Sequence, residues 1–283
     1  MLRTLIINKK IEPFKKIIKV DGDKSLSIRW VLLASQALGS SKAYNLLMSE
    51  DVNAALGAIK KLGIKVKINK GNCEIFGNGI NGFNYKSGLV VDAKNSGTLG
   101  RLILGLLIRS PKRIKIIGDK SLSKRDFSRV VIPLEKFGAK FYYKTKNKLP
   151  LSVIGSQSPK GINYIENKGS AQCKSSVMLA ALNSKGTTFI KAKKSRNHSE
   201  LLFKYLKIPI KIKKNKKYDF INIKKPKKIN AFNYQVPGDI SSSAFFMVLT
   251  MLTSNSELLI KNVNINPSRI GIITILKKMG AKI

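Results

Sequence analysis

Residues 88–118 read GLVVDAKNSGTLGRLILGLLIRSPKRIKIIG. A short apolar run, GLVVDA, leads into a small polar turn. An apolar helix is expected from about 95 to 108, and RIKIIG then opens a second apolar run. The same grammar recurs along the chain. Val52, Ala55, Leu56, Ile59 and Leu62 lie on one face of a helix, and Gly63 can end it. Shifted by 75 residues, the face returns as Phe127, Val130, Val131, Leu134 and Phe137, followed by Gly138. A third helix is expected at about 198–206. A fourth carries Ile272, Ile275, Leu276 and Met279 before Gly280.

A hairpin follows each of the first three: IKVKI with CEIFG around a polar tip at Asn69–Asn72, AKFYYKT with LPLSVIG, and IPIKIKK with YDFINI. The unit therefore reads β-α-β-α-β-β. A supersecondary unit repeated with this period predicts a symmetric α/β build. The fourth copy stops at MGAKI, with Ala281–Ile283 expected as one short strand lacking its return partner. A lone strand is a poor place for a domain to stop, so the expectation is a longer protein that has been cut.

At 283 residues the chain is long for one domain and comfortable for two. An apolar fraction of 43% supports a sizeable core. No apolar run approaches the length of a membrane span, and MLRTLIINKK is too short for a signal-peptide core. Cys73 and Cys173 are far apart and read as buried, idle thiols. With His198 the only histidine, no metal site is expected. These features point to a reducing, cytoplasmic setting.

The net charge of +39 raises nucleic acid or a membrane surface as partners. Most of the excess is lysine, spread along the chain with abundant Ile and Asn, which fits drift in an AT-rich genome and solvated surface charge. Arginine carries more information. Six of the nine arginines, Arg29, Arg101, Arg125, Arg129, Arg196 and Arg269, fall inside short motifs. Retained guanidinium forks suit phosphate or carboxylate.

Five of these motifs open apolar helices with small or hydroxyl-bearing residues. GDKSLSIR (22–29) is nearly repeated 96 residues on as GDKSLSKR (118–125), and GDISSS begins it again at 238. In the first octet Lys24, Ser25 and Arg29 supply an ammonium, a hydroxyl and a guanidinium at a helix start, where backbone N–H groups favour anions. AKNSGTLGR (93–101) places Asn95, Ser96, Gly97 and Thr98 at another start, with Gly97 allowing close approach of an anion. GSAQCKSSVMLAAL (169–182) brings Ser170, Gln172 and Lys174; Gln172 suits a substrate hydroxyl. SRNHSE (195–200) holds His198, an acid or base in principle, though a lone histidine is more often structural. VPGDISSSAFF (236–246) is a capped start with Asp239. Helix starts of this kind in one repeat protein suggest a common, highly anionic ligand.

Taken in order, GDKS-x-S-x-R, NSGT-x-x-R, GD-x-SL-x-x-R, SAQ-x-KS, SR-x-HSE, PGD-x-SS and NPSRIGIITILKKMGA resemble the motif set of the 5-enolpyruvylshikimate-3-phosphate synthase family over essentially the whole chain. The resemblance implies transfer of the enolpyruvyl group of phosphoenolpyruvate to the 5-hydroxyl of shikimate 3-phosphate, with release of phosphate and with no metal or organic cofactor. It implies an α/β fold of repeated β-α-β-α-β-β units, an inside-out barrel with two domains that close on the substrates. By that likeness residues 1–20 are a strand segment of the second domain, 21–237 a complete first domain of three repeats, and 238–283 part of the second.

The site carries over residue by residue. Lys24 is implied to touch both substrates and to be catalytic. Ser25, Arg29, Ser170, Ala171, Gln172 and Ser195 are implied to hold shikimate 3-phosphate, with Ala171 where some members have a serine. Gly97 and Arg125, with Lys24 and Gln172, are implied to hold phosphoenolpyruvate. Departures are Asp21 for Pro, Lys94 for Gly, Asp126–Phe127 for Pro-Met and Asn197 for Asp. Asp126 sets a negative charge beside Arg125. The family's catalytic Asp and Glu would follow Ile283, so weak binding of shikimate 3-phosphate without turnover is expected of these residues alone. A cytoplasmic monomer with small-molecule substrates, no specific nucleic acid and no membrane completes the expectation.

Three rivals stand against it. UDP-N-acetylglucosamine enolpyruvyl transferase shares the fold but usually carries a Lys-Asn pair near its start and a reactive cysteine near the second octet's arginine. This chain has Lys24-Ser25 and no cysteine there. A basic nucleic-acid or anion binder would need aromatic platforms among its cations, and aromatics make up 7%. A catalytically dead, ligand-binding remnant is the third.

Overall fold

The computed structural model describes residues 10–69 and 71–283. The expected absence of a leader and the first nine of the twenty residues expected as an amino-terminal strand segment therefore lie outside the described residues. The chain divides into two compact units. One is Lys24–Val236; the other combines the residues up to Asp23 with Pro237–Ile283.

In chain order the elements begin with β1 (Lys15–Lys19), α1 (Lys24–Ala34), β2 (Leu38–Tyr44), α2 (Glu50–Lys61), β3 (Lys65–Asn69) and β4 (Asn72–Asn78). Then come β5 (Leu89–Asp92), α3 (Gly97–Leu106), β6 (Ile114–Ile117), α4 (Lys120–Ser123), α5 (Ser128–Glu135), β7 (Lys140–Tyr143) and β8 (Leu151–Ile154). The third stretch is β9 (Asn163–Glu166), α6 (Ala171–Ala181), β10 (Thr187–Lys193), α7 (His198–Tyr205), β11 (Ile210–Lys214) and β12 (Tyr218–Lys224). The last is β13 (Asn233–Gln235), α8 (Ile240–Leu252), β14 (Glu257–Lys261) and α9 (Gly271–Lys278).

Within Lys24–Val236 one sheet plan occurs three times: β13-β2-β4-β3, β5-β6-β8-β7 and β9-β10-β12-β11. In each, the first two strands are parallel and the rest antiparallel. A parallel pair needs a crossover, which α3 provides between β5 and β6 and α6 between β9 and β10; α1 holds the equivalent place before β2, and the antiparallel strands close as hairpins. The first sheet takes its leading strand, β13, from the far end of the unit. Its motif is thus completed by residues almost 200 positions later in sequence.

The helices differ by position. Nearly every residue of α1, α3 and α6 is buried. These three run through a single apolar cluster that also takes in Ile75, Phe127, Val153 and Phe203. α2, α5 and α7 each bury one face, as the periodicity predicts. Gly63 and Gly138, just past α2 and α5, have φ of 86° and 95°, the left-handed backbone that ends a helix most cheaply on glycine. α3 and α6 pack closely, because a Cβ on Gly105 would lie 2.1 Å from the Ser176 carbonyl oxygen.

The other unit has β1 parallel to β14 and the helices α8 and α9. On α9 Leu276 is buried while Ile275 and Met279 are exposed, so only part of the apolar face is covered. Ala281–Ile283 forms no strand, in contrast to the expectation; no neighbouring strand pairs with it among the described residues.

The two octets occupy different places in the plan. GDKSLSIR opens a long central helix, α1. GDKSLSKR follows β6 and forms the four-residue α4 before the outer helix α5. Their separation of 96 residues exceeds the repeat because they are not equivalent parts of it. The structural counterparts of the first octet are NSGT before α3 and SAQ before α6.

Candidate active site

At the start of α1 the side chains Lys24, Ser25 and Arg29 diverge. Lys24 Nζ donates to Asp51 Oδ2 of α2 at 3.0 Å, and Lys24 remains half-exposed. Ser25 is half-buried. Arg29, one turn on, is only 4% exposed. Its Nη1 donates to the Ser25 carbonyl at 3.0 Å, its Nε to Ser199 Oγ at 2.8 Å and its Nη2 to Ser175 Oγ at 3.0 Å.

The start of α3 gathers more cationic charge. Ser96 Oγ caps the helix by accepting from Leu99 N at 3.2 Å. Arg101 Nη1 donates to Gln172 Oε1 at 2.9 Å, and the guanidinium lies 5.1 Å from the Phe127 ring centroid. Gln172 Nε2 in turn donates to Thr98 Oγ1 at 3.0 Å. Arg101 thereby sets which way the Gln172 amide points. A Cβ on Gly97 would lie 2.9 Å from Arg101 Nη1 and 3.0 Å from Arg125 Nη1. Two guanidinium groups therefore converge over the first residue of a helix. Burial lowers the Arg101 pKa, and the neighbouring Arg125 and Arg129 add to that lowering.

The second octet builds the wall that holds Arg125. Asp119 caps α4 by accepting from Leu122 N at 2.7 Å, and it accepts from Asn95 Nδ2 at 2.5 Å. These two donors, the Leu122 N–H first, hold the Asp119 carboxyl below the usual aspartate range. The Asp126 carboxylate is turned onto Ser128, accepting from its N–H at 2.8 Å and its hydroxyl at 2.6 Å. Among the described residues no ion pair joins Asp126 to Arg125, so this departure leaves the exposed guanidinium available. Lys94 sits at φ 51°, the left-handed region, which explains why glycine suits that position. Asp92 holds it there, accepting from Lys94 N at 2.8 Å and pairing with Lys94 Nζ at 2.9 Å.

At the start of α6 Ser170 is the cap, its Oγ accepting from Cys173 N at 3.3 Å, and Ala171 is half-buried beside it. Ser195 Oγ is shielded and makes no hydrogen bond among the described residues. His198 is buried in the first turn of α7, which favours a packing role over acid–base work. Cys73 and Cys173 are both free and buried, and burial pushes the Cys73 thiol up to about 12.

Gly97, Arg125 and Gln172, separate in sequence, thus meet around Arg101. The motifs contain Arg101 but give it no place in the site. They give no sign of Asp51, Ser175 or Ser199 as partners. The second halves of SAQCKS and SRNHSE were the available signal, because their residue types are too polar for the helix interiors they occupy.

Such a molecule is an α/β repeat protein whose helix starts and guanidinium groups have the chemistry that suits a phosphorylated or carboxylated ligand. The chain belongs to the EPSP synthase (3-phosphoshikimate 1-carboxyvinyltransferase) family, whose profile matches residues 8–283. It is 43% identical over 267 residues to the 3-phosphoshikimate 1-carboxyvinyltransferase of Ruthia magnifica subsp. Calyptogena magnifica, covering 94% of this chain and 60% of that protein. The Syntrophomonas wolfei protein of the same name is 38% identical over 98% of this chain and 64% of its own length. The EPSP synthase structure from Acinetobacter baumannii superposes with a TM-score of 0.87 at 34% identity, covering 96% of this chain and 61% of that one. The chain therefore spans a little over three fifths of the length of these relatives.

Proposed function

We propose that this chain supplies binding groups for carboxyvinyl transfer from phosphoenolpyruvate to the 5-hydroxyl of shikimate 3-phosphate. The observation that carries the reading is the convergence of Arg101 and Arg125 over Gly97, with Gln172 held alongside. In the net reaction the hydroxyl oxygen bonds to C2 of phosphoenolpyruvate, the C2–O bond to phosphate breaks, and phosphate leaves carrying the proton that the hydroxyl gives up. Both reactants are anionic and repel each other. Fixed cations and helix starts offset that repulsion and hold the reacting atoms together.

In this reading Arg125 faces phosphoenolpyruvate across Gly97, whose missing Cβ leaves room for the anion. Arg29, Ser25, Ser170, Ala171 and Ser195 line the shikimate 3-phosphate side. Lys24, released from Asp51, serves both. Residues 21–237 are read as a complete first domain of inside-out-barrel type, and 238–283 with the amino-terminal strand segment as part of a second. The threefold recurrence of one sheet order supports this division. A cytoplasmic, monomeric enzyme fits the reading.

The test is calorimetric binding of shikimate 3-phosphate, followed by phosphate release with both substrates, in the wild type and in Arg125→Ala. Release that needs both substrates and Arg125 establishes the transferase. It also sinks the expectation that the 283 residues do not turn over by themselves. Binding without release supports the substrate-binding role alone. No binding of shikimate 3-phosphate and no release overturn the reading.

A further inference from the structure

Four buried polar residues of SAQCKS and SRNHSE face one another. Ser199 Oγ donates to Ser175 Oγ at 2.7 Å. These same hydroxyls accept from Arg29 Nε and Nη2. One residue along each helix, Lys174 Nζ lies 2.6 Å from Glu200 Oε1, with both side chains essentially unexposed. The ion pair is close but poorly aimed. Neither Lys174 Nζ nor either Glu200 oxygen has a directed hydrogen bond among the described residues.

A buried ion pair in this state is a weak contributor to stability. Desolvating two charges consumes much of their attraction, and a well-packed apolar pair often does as well or better. What the pair does achieve is registry. It fixes the first turn of α6 against the first turn of α7 at the level of the two serines. Those serines grip the guanidinium of a residue on a third helix. Arg29 is thereby locked from α1, α6 and α7 at once, which removes most of its rotamer freedom before any ligand arrives.

We propose that Ser175 and Ser199 are positioning residues for Arg29, and that the Lys174–Glu200 ion pair sets the helix registry that holds them. The consequence for ligand binding rests on the proposed role of Arg29 toward shikimate 3-phosphate. The consequence for Arg29 itself does not.

The experiment compares the wild-type chain with Ser199→Ala, Ser199→Thr and the double variant Lys174→Met/Glu200→Leu. Three quantities are read: hydrogen exchange of the Arg29 Nε–H by ¹⁵N NMR, shikimate 3-phosphate affinity by calorimetry, and Tm. In Ser199→Ala the Arg29 exchange accelerates and affinity falls roughly tenfold, the equivalent of one charge-assisted hydrogen bond. Ser199→Thr keeps the hydroxyl and restores both. The double variant keeps or raises Tm while exchange accelerates and affinity falls, a combination that a purely structural role does not produce. Unchanged Arg29 exchange in both Ser199→Ala and the double variant overturns the proposal. So does a loss of affinity that merely tracks a loss of Tm. If the wild type takes up no shikimate 3-phosphate, the functional reading falls, and the exchange measurement decides the positioning claim alone.

Discussion

At Gly97 the absence of a side chain is what lets two guanidinium groups converge on one helix start. A methyl there would sit 2.9 Å from one guanidinium nitrogen and 3.0 Å from another, and both are ends of flexible side chains. The backbone has no need to move, so Gly97→Ala is expected to fold with Tm within a few degrees of wild type. The two cations are pushed apart, and phosphoenolpyruvate affinity drops at least tenfold, by about 1.4 kcal/mol or more. Shikimate 3-phosphate affinity changes little, because Arg29 is held by other residues. Calorimetric titrations with each ligand check both halves.

The acidic residues near this point give a pH dependence. Asp119 and Asp126 are both lowered, Asp119 first by the Leu122 N–H and Asp126 first by the Ser128 hydroxyl. A carboxyl with a lowered folded pKa contributes stability above its unfolded value near 4, and loses it as pH falls through the folded value. Thermal melts from pH 6 to pH 2 should therefore show stability falling below about pH 4, and Asp119→Asn/Asp126→Asn should flatten that fall. A variant with the same acid slope as wild type would show that these caps carry no linkage.

Among the elements, the contact between α3 and α6 matters most, since it brings Arg101 to Gln172 and Ser176 Oγ to the Arg101 carbonyl at 2.9 Å. Gly105 makes that closeness possible. A Cβ there would meet backbone, the Ser176 carbonyl oxygen, which cannot swing aside. Gly105→Ala is expected to cost about 3 kcal/mol by overpacking and to loosen ligand binding with it. Denaturant melts beside the Gly97→Ala variant separate the two kinds of glycine.

The elements also show what the sequence makes legible. The outer helices α2, α5 and α7 have one wet face, so their apolar residues recur at helical spacing and their positions can be read directly. The hairpins are equally plain. The central helices α1 and α6 are buried nearly all round and show no such rhythm; their polar first turns mark them instead. Side-chain partners are not legible. Arg101 meets Gln172 and Lys174 meets Glu200 only because α6 is flanked by α3 and α7, and that adjacency is a property of packing. Nor can two almost identical octets reveal that one opens a central helix and the other a four-residue turn of helix before an outer one.

For the molecule as a whole, the strongest influence is its charge of +39. Like charges at this density repel one another in the compact state, and salt screens them with a Debye length of about 8 Å at 0.15 M. Raising NaCl should therefore raise Tm by several degrees, which differential scanning fluorimetry measures directly. The same titration separates two uses of that charge. A ligand held by a few built groups such as Arg29 and Arg125 loses less than about tenfold in affinity between 50 and 200 mM salt. A polyanion engaging 6–10 dispersed lysines loses roughly a thousandfold or more, because each phosphate contact releases counterions. Shikimate 3-phosphate is expected to follow the first course, and any RNA affinity the second. A shikimate 3-phosphate affinity as salt-sensitive as that for RNA would mean that the lysine surface is the anion receptor. The arginines gathered at the helix starts would then have to be reassigned to the fold.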